Sequence, residues 1–236
     1  MRAVEENSGG GRPILDVRRL GRMRYADAYA LQKDLVDDRV EGRIRDTLLL
    51  AEHEAVITLG RKAPRADVAA TALPVFEVER GGEATWHGPG QLVAYPIVRL
   101  DGARRDLHRY LRDLEEVVIG VLAEFALEGT RKSGLTGVWI GDKKVASIGV
   151  AVRRWVAWHG LSLNVHTDPA AFQGFRPCGL EPDVMTRLAD HVDLPPGLLL
   201  IEVLLIKHFC AVLGFDLPAP PPAPPARFPE LPILPG

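Results

Sequence analysis

The sequence predicts an α/β fold of the α+β type, in which one mixed, largely antiparallel sheet carries packed helices. Three observations point to it. Strand-like runs at 137–140, 144–152 and 155–165 follow one another through connections as short as Gly141-Asp142 and Arg153-Arg154, which suit hairpins better than crossovers. The stretch from 106 to about 127 sets Leu107, Tyr110, Leu111, Leu114, Val117, Val118, Val121, Leu122 and Phe125 on one stripe of helical period. Strand-like and helix-like patterns also interleave along the rest of the chain.

Taken in order, 14–17 reads as a short strand and 25–43 as a helix with Ala28, Leu31, Leu35 and Val36 among its apolar positions. Residues 47–52 and 55–60 read as strands joined tightly around His53. Strands at 75–79 and 92–98 flank a glycine-rich loop, and the long helix and the three-strand run follow. A last helix spans 197–213, with Gly214 as its C-cap. Residues 1–12 are polar and Gly-rich, a flexible N-terminal tail. Residues 216–236, DLPAPPPAPPARFPELPILPG, hold too much proline for a helix or a central strand. A single domain over 13–215 lies between these tails.

Hydrophobic residues make up 47% of the 236 and charged residues 25%, with a net charge of −2, so bulk attraction to nucleic acid is excluded. Two cysteines make no disulfide framework, which suits a reducing compartment. The N-terminus has no apolar signal core, and Glu202, Lys207 and His208 interrupt the most apolar run, so a cytoplasmic protein without a membrane span is expected.

The segment RGGEATWHGPGQ, from Arg80 to Gln91, carries the densest signal. Its glycines and proline specify unusual dihedrals, and Arg80, Thr85, His87 and Gln91 offer four different polar groups to one small region. The spacing matches neither a dinucleotide fingerprint nor a P-loop. Of the two thiols, Cys210 falls in the apolar last helix and reads as a small hydrophobe. Cys178 differs, because Pro177 and Gly179 impose an irregular backbone around it. A thiol needs help to ionise near neutrality. Candidate helpers are His87, His159 and the Lys143-Lys144 pair. On a strand only one of two neighbouring lysines faces a given site, and Lys144 shares its face with Ala146, Ile148 and Val150. A lysine on an apolar face loses hydration, which favours its neutral, basic form.

RGGEATWHGPGQ, KVASIGV, HGLSLNV and PCG with Thr186 beyond it occur in that order between about Gly60 and Leu188. In these motifs the chain resembles the lipoyl(octanoyl) transferases, which pass octanoyl from acyl carrier protein to protein. The resemblance implies the fold of the biotin and lipoate protein ligase catalytic domain, an acyltransferase over 13–215 and no cofactor. It implies a Cys178–Lys144 dyad with an acyl thioester on Cys178. Substrate contacts would come from Arg80, Gly81, Gly82, Glu83, Ala84, Thr85, Trp86 and His87, from Ser147, Ile148 and Gly149, and from Gly160, Leu161 and Ser162. Acyl carrier protein would be the donor. Lipoyl domains of 2-oxoacid dehydrogenases and the glycine cleavage H protein would be the acceptors. Trp86, Ser162 and Arg187 depart from the usual pattern, where a smaller aromatic, alanine and serine are common. Chemistry adds an oxyanion donor, with the Gly179 N–H as candidate. Arg104, Arg105, Arg109 and Arg112, with Arg153-Arg154, form basic clusters suited to acidic protein partners. The rival readings are an ATP-dependent ligase on the same scaffold, a non-catalytic binding module, and a Cys–His amidohydrolase.

Overall fold

A computed structural model of the protein describes residues 11–68 and 71–216. Its strands are β1 (Asp16–Met23), β2 (Thr47–His53), β3 (Val56–Leu59), β4 (Val75–Glu77), β5 (Ala84–His87), β6 (Gln91–Arg99), β7 (Gly129–Lys132), β8 (Leu135–Ile140), β9 (Lys143–Arg153) and β10 (Val156–Asn164). Its helices are α1 (Tyr25–Val40), α2 (Leu107–Ala123) and α3 (Leu198–Leu213). Seven strands form the main sheet in the order β1-β2-β6-β10-β9-β8-β7, and β4-β3-β5 form a small second sheet. In the main sheet only β1 and β2 run parallel, so the expected largely antiparallel architecture holds.

Alternation along the central strands sorts side chains to two faces. Leu48 and Leu50 of β2, and Leu92, Ala94 and Val98 of β6, pack with α2 and α3 in the larger core. Leu49, Val93, Tyr95 and Ile97 point the other way and pack against α1. The small sheet has its own core of Ile57, Leu59, Ala84, Trp86, Phe172, Phe175 and Met185. Asp106 caps α2 by accepting from the Arg109 N–H at 3.0 Å, and Gly214 ends α3 at φ 74°. Among the described residues no helix is long and apolar enough to cross a membrane.

The structure adds to or changes the sequence reading in four places. The first strand runs to Met23 because it pairs with β2 along its length, an edge that the alternation of its own residues does not reveal. The two runs around His53 are joined tightly but belong to different sheets, β2 to the main sheet and β3 to the small one. The glycine-rich segment is not all loop, because β5 pairs antiparallel with β3 inside it. Strand β7, sequence GTRK, has no apolar alternation and is held by pairing with β8 at the sheet edge. Residues 1–10 and 217–236, most of both expected tails, lie outside the described residues.

Candidate active site

The glycine-rich segment lies over β9 and β10. The Gly81 N–H donates to the Val150 carbonyl at 2.9 Å, and Gly149 leaves the space that the Gly81 carbonyl and the Arg80 side chain occupy. A cavity of about 320 Å³ opens between these elements. Arg80, Gly81, Gly82, Glu83, Thr85 and His87 line one wall, and Lys144, Ser147, Ile148, Gly149, Gly160, Leu161 and Ser162 another. Cys178 completes it from the segment after β10, and Leu107 and Leu111 of α2 add apolar surface.

Two residues expected at the site are elsewhere. Side chains alternate along β5, so Thr85 and His87 face the cavity while Ala84 and Trp86 enter the small core. Trp86 packs edge-on against Phe172 at 5.7 Å and lies against Gly88. The large aromatic at this position therefore fills the small core and does not narrow the cavity.

Lys144 is buried, at 2% exposure, whereas Lys143 is exposed and donates to the Asp183 carbonyl. The Lys144 Nζ donates to the Thr136 carbonyl at 3.1 Å and lies 5.1 Å from the centre of the Trp139 ring. Simple alternation would put Lys144 and Ser147 on opposite faces. The register moves from Val138↔Ala146 to Trp139↔Lys144, so Val145 is inserted as a bulge. One extra residue reverses the alternation, and Lys144 and Ser147 both reach the cavity.

Cys178 approaches from an unlike backbone. It sits in a single tight turn, Pro177–Gly179, at φ 55° and ψ 31°, followed by Gly179 at φ 71°. A left-handed cysteine costs about 1–3 kcal/mol and persists only where its surroundings impose it. Here Gly179 and Leu180 donate to the carbonyls of Arg176 and Pro177 at 3.2 and 3.0 Å, and the Glu83 carboxylate lies against Gly179. These bonds correct one expectation: the Gly179 N–H serves the turn and is not free as an oxyanion donor. The thiol itself is half-buried, with Sγ 3.6 Å from the Ser147 hydroxyl.

The turn is tied to the lysine strand at the lysine itself. The Thr186 N–H donates to the Lys144 carbonyl at 2.9 Å, and Met185 bridges Lys144 in parallel register. The segment that carries the thiol thus docks on the residue proposed as its partner, despite their distance in sequence. Asn164 supports the same segment, donating to the Thr186 carbonyl at 2.9 Å and accepting from Gln91 at 2.8 Å.

The rest of the cavity is polar and deeply buried. Arg80 donates to the Thr58 carbonyl and hydroxyl at 2.8 and 2.9 Å. Burial pulls its guanidinium below the ordinary value, and the charge of a Cys178 thiolate pulls it back up. Burial, with the neighbouring His53, pushes His87 down to about 3. Burial, with Arg80, pushes His159 down to about 3. Rings held that low are weak bases near neutrality, which disfavours either as the helper of the thiol. Tyr25, Tyr95 and Thr136 also line the cavity, and no motif pointed to them. Of the expected basic clusters, Arg112, Arg153 and Arg154 are engaged with Glu115, Asp37 and Glu41, and Arg105 covers Trp155 at 4.5 Å.

The sequence profile of the lipoyl protein ligase A/B catalytic domain matches residues 24–210. The octanoyltransferase of Syntrophotalea carbinolica is 43% identical over 204 residues, 86% of this chain and 97% of that protein. That of Rubrobacter xylanophilus is 46% identical over 213 residues, 86% of this chain and 96% of that protein. Among solved structures, a putative lipoate protein ligase from T. acidophilum superposes with a TM-score of 0.66 at 17% identity, covering 86% of this chain and 87% of its own. Biotin protein ligase from Aquifex aeolicus superposes with a TM-score of 0.52 at 13% identity, covering 85% and 70%. These two likenesses concern the fold alone. The chain belongs to the lipoyl protein ligase A/B catalytic domain family.

Proposed function

We propose that this chain is an octanoyltransferase, which moves an octanoyl group from octanoyl-acyl carrier protein to a lysine of lipoyl domains by way of a Cys178 thioester. That is the first step of endogenous protein lipoylation. The acceptors are the lipoyl domains of 2-oxoacid dehydrogenases and the glycine cleavage H protein. The acyltransferase unit is 13–215, acting in the cytoplasm. The observation that carries the reading is that Cys178 and Lys144 line one cavity with the glycine-rich segment, in a chain whose full-length relatives are octanoyltransferases.

In the first half-reaction Lys144 takes the proton of the Cys178 thiol and the sulfur attacks the donor carbonyl. A new C–S bond forms, the bond to the carrier sulfur breaks, and Lys144 returns the proton to the departing thiolate. One thioester replaces another, so the step is nearly isoenergetic and needs no ATP. In the second, the neutral amine of the acceptor lysine attacks the Cys178 thioester. The C–N bond forms, the C–S bond breaks, and the amine proton passes through Lys144 to the Cys178 sulfur. Conversion of thioester to amide drives this step forward.

Leu107, Leu111, Ile148, Val150 and Leu161 give the cavity apolar walls for the chain, each buried methylene contributing about 0.8 kcal/mol. At about 320 Å³ the cavity is at the small end of ligand pockets, which suits a medium-length acyl group. Arg80, Gly81, Gly82, Glu83, Thr85 and His87 form the substrate wall opposite. The ATP-dependent ligase reading lacks a role for Cys178, since an adenylate forms without a nucleophilic thiol.

The test is transfer without ATP. The protein is mixed with octanoyl-acyl carrier protein and an unmodified lipoyl domain, and the mass of the lipoyl domain is followed. Octanoyl gain on its lysine without ATP is expected. Gain only with ATP and free octanoate would replace the reading by that of a ligase.

A further inference from the structure

Glu115 is a buried ionisable group that the mechanism above leaves unused. It lies on the inner face of α2 at 0% exposure. One carboxylate oxygen, Oε2, accepts from Arg112 Nη1 at 2.6 Å and from Arg131 Nε at 3.0 Å. The other, Oε1, accepts from the Gly137 N–H at 3.0 Å. That N–H belongs to the same peptide group as the Thr136 carbonyl, and the Thr136 carbonyl is the acceptor of Lys144 Nζ at 3.1 Å.

A peptide group is planar, with its N–H and C=O pointing in opposite directions. Anchoring the N–H therefore aims the carbonyl, and a charged acceptor on the N–H also polarises the carbonyl towards its own donor. The sheet does not hold this peptide. The register between β7 and β8 shifts between Thr130 and Lys132, and that between β8 and β9 shifts at Trp139, so Thr136 and Gly137 have no in-register partners. Gly137 completes the arrangement at φ 138°, because a Cβ there would come within 2.7 Å of Lys144 Cε. The backbone crosses directly over the lysine stem.

We propose that Glu115 is a positioning residue for Lys144, acting through the single Thr136–Gly137 peptide group. The proposal rests on Lys144 being the base of the acyl transfer described above. A purely structural Glu115 would tie α2 to β7 through its two arginines and leave the reactivity of Cys178 alone. The two roles separate because one uses Oε1 and the other Oε2.

Two variants divide them. Glu115→Gln keeps the reach of Oε1 to the Gly137 N–H and gives up the charge that the arginines share. Glu115→Asp keeps the charge but withdraws the carboxylate from Gly137 by one methylene. Each is assayed with Lys144→Ala for melting temperature, for the pH profile of Cys178 alkylation by iodoacetamide, and for the rate of acyl-adduct formation at saturating octanoyl-acyl carrier protein. Misplacement of a catalytic group by about 1 Å costs on the order of 10²-fold. Glu115→Asp should fall by about that factor in adduct formation and take on the alkylation profile of Lys144→Ala. Glu115→Gln should stay within about tenfold of wild type and keep its profile, whatever its melting temperature. Wild-type profiles and rates in both variants, or rates that follow melting temperature, overturn the proposal. Failure of the wild-type protein to form an adduct would instead sink the transfer reading, while the alkylation profiles would still decide whether Glu115 governs Lys144.

Discussion

Lys144 and Cys178 reach the same cavity from opposite kinds of backbone. Lys144 stands on β9, deep in a seven-stranded sheet, and is fixed by ladder pairing, a bulge and a peptide carbonyl. Cys178 stands on a three-residue turn at a left-handed dihedral, fixed by turn hydrogen bonds and by packing against Glu83. The difference suits the two tasks. Under the proposed function, a proton acceptor gains from being held rigidly in place, whereas a nucleophile that meets two protein substrates in turn has to stand at an accessible place. It also means that the lysine is protected by the whole sheet, while the thiol depends on a few local contacts.

The largest effect is expected from Lys144→Ala. Loss of a general base costs about 10²–10⁴-fold, to be read in the rate of acyl-adduct formation on Cys178. An unchanged rate would hand the role to another group. On the sheet side, the two buried rings make stability depend on pH. His87 and His159 are held at about 3 when folded but titrate near 6.5 when unfolded, so between these values the unfolded chain binds the extra protons. Stability should be full above pH 6.5 and fall as pH drops, by up to about 1.4 kcal/mol per unit for each ring. Urea midpoints at pH 7 and 5 check this, and equal midpoints would mean that the rings are not buried neutral.

On the turn side, Gly179→Ala adds a Cβ to a residue at φ 71° and drives it into the Glu83 carboxylate. About 1–3 kcal/mol of local strain is expected, lowering adduct formation more than the melting temperature, since the turn is small and the sheet large. A variant that melts lower but reacts normally would show that the turn tolerates displacement. The smallest effect is expected where the two regions touch. Ser147→Ala removes the hydroxyl 3.6 Å from Sγ, and a contact of that length should change the rate by only a few-fold at pH 7.

Much of this was legible in the sequence, for identifiable reasons. The short connections between strand-like runs and the apolar stripe of α2 announced the sheet and its helix, because hairpins need tight turns and a helix packed on one face leaves a periodic trace. The proline and glycine around Cys178 announced a fixed irregular turn. Local pattern could not announce β7, whose GTRK is held only by pairing, or the separation of β2 and β3 into different sheets. The resemblance put Ala84 and Trp86 among the substrate contacts, and alternation along the strand inside that segment turns both into the small core. The bulge at Val145 inverts the face assignment near Lys144, so the lysine was chosen correctly for the cavity while its neighbours were not all assigned to the right face. Glu115 carried no motif at all; its link to Lys144 is visible only when α2, β8 and β9 are brought together.

In the proposed function Cys178 carries the acyl group between donor and acceptor. Intact mass of the protein after incubation with octanoyl-acyl carrier protein, without ATP, tests it most directly. A single octanoyl adduct is expected, one that hydroxylamine removes, that an unmodified lipoyl domain discharges, and that Cys178→Ala does not form. An adduct that survives in Cys178→Ala, or transfer to the lipoyl domain by that variant at the wild-type rate, would contradict it.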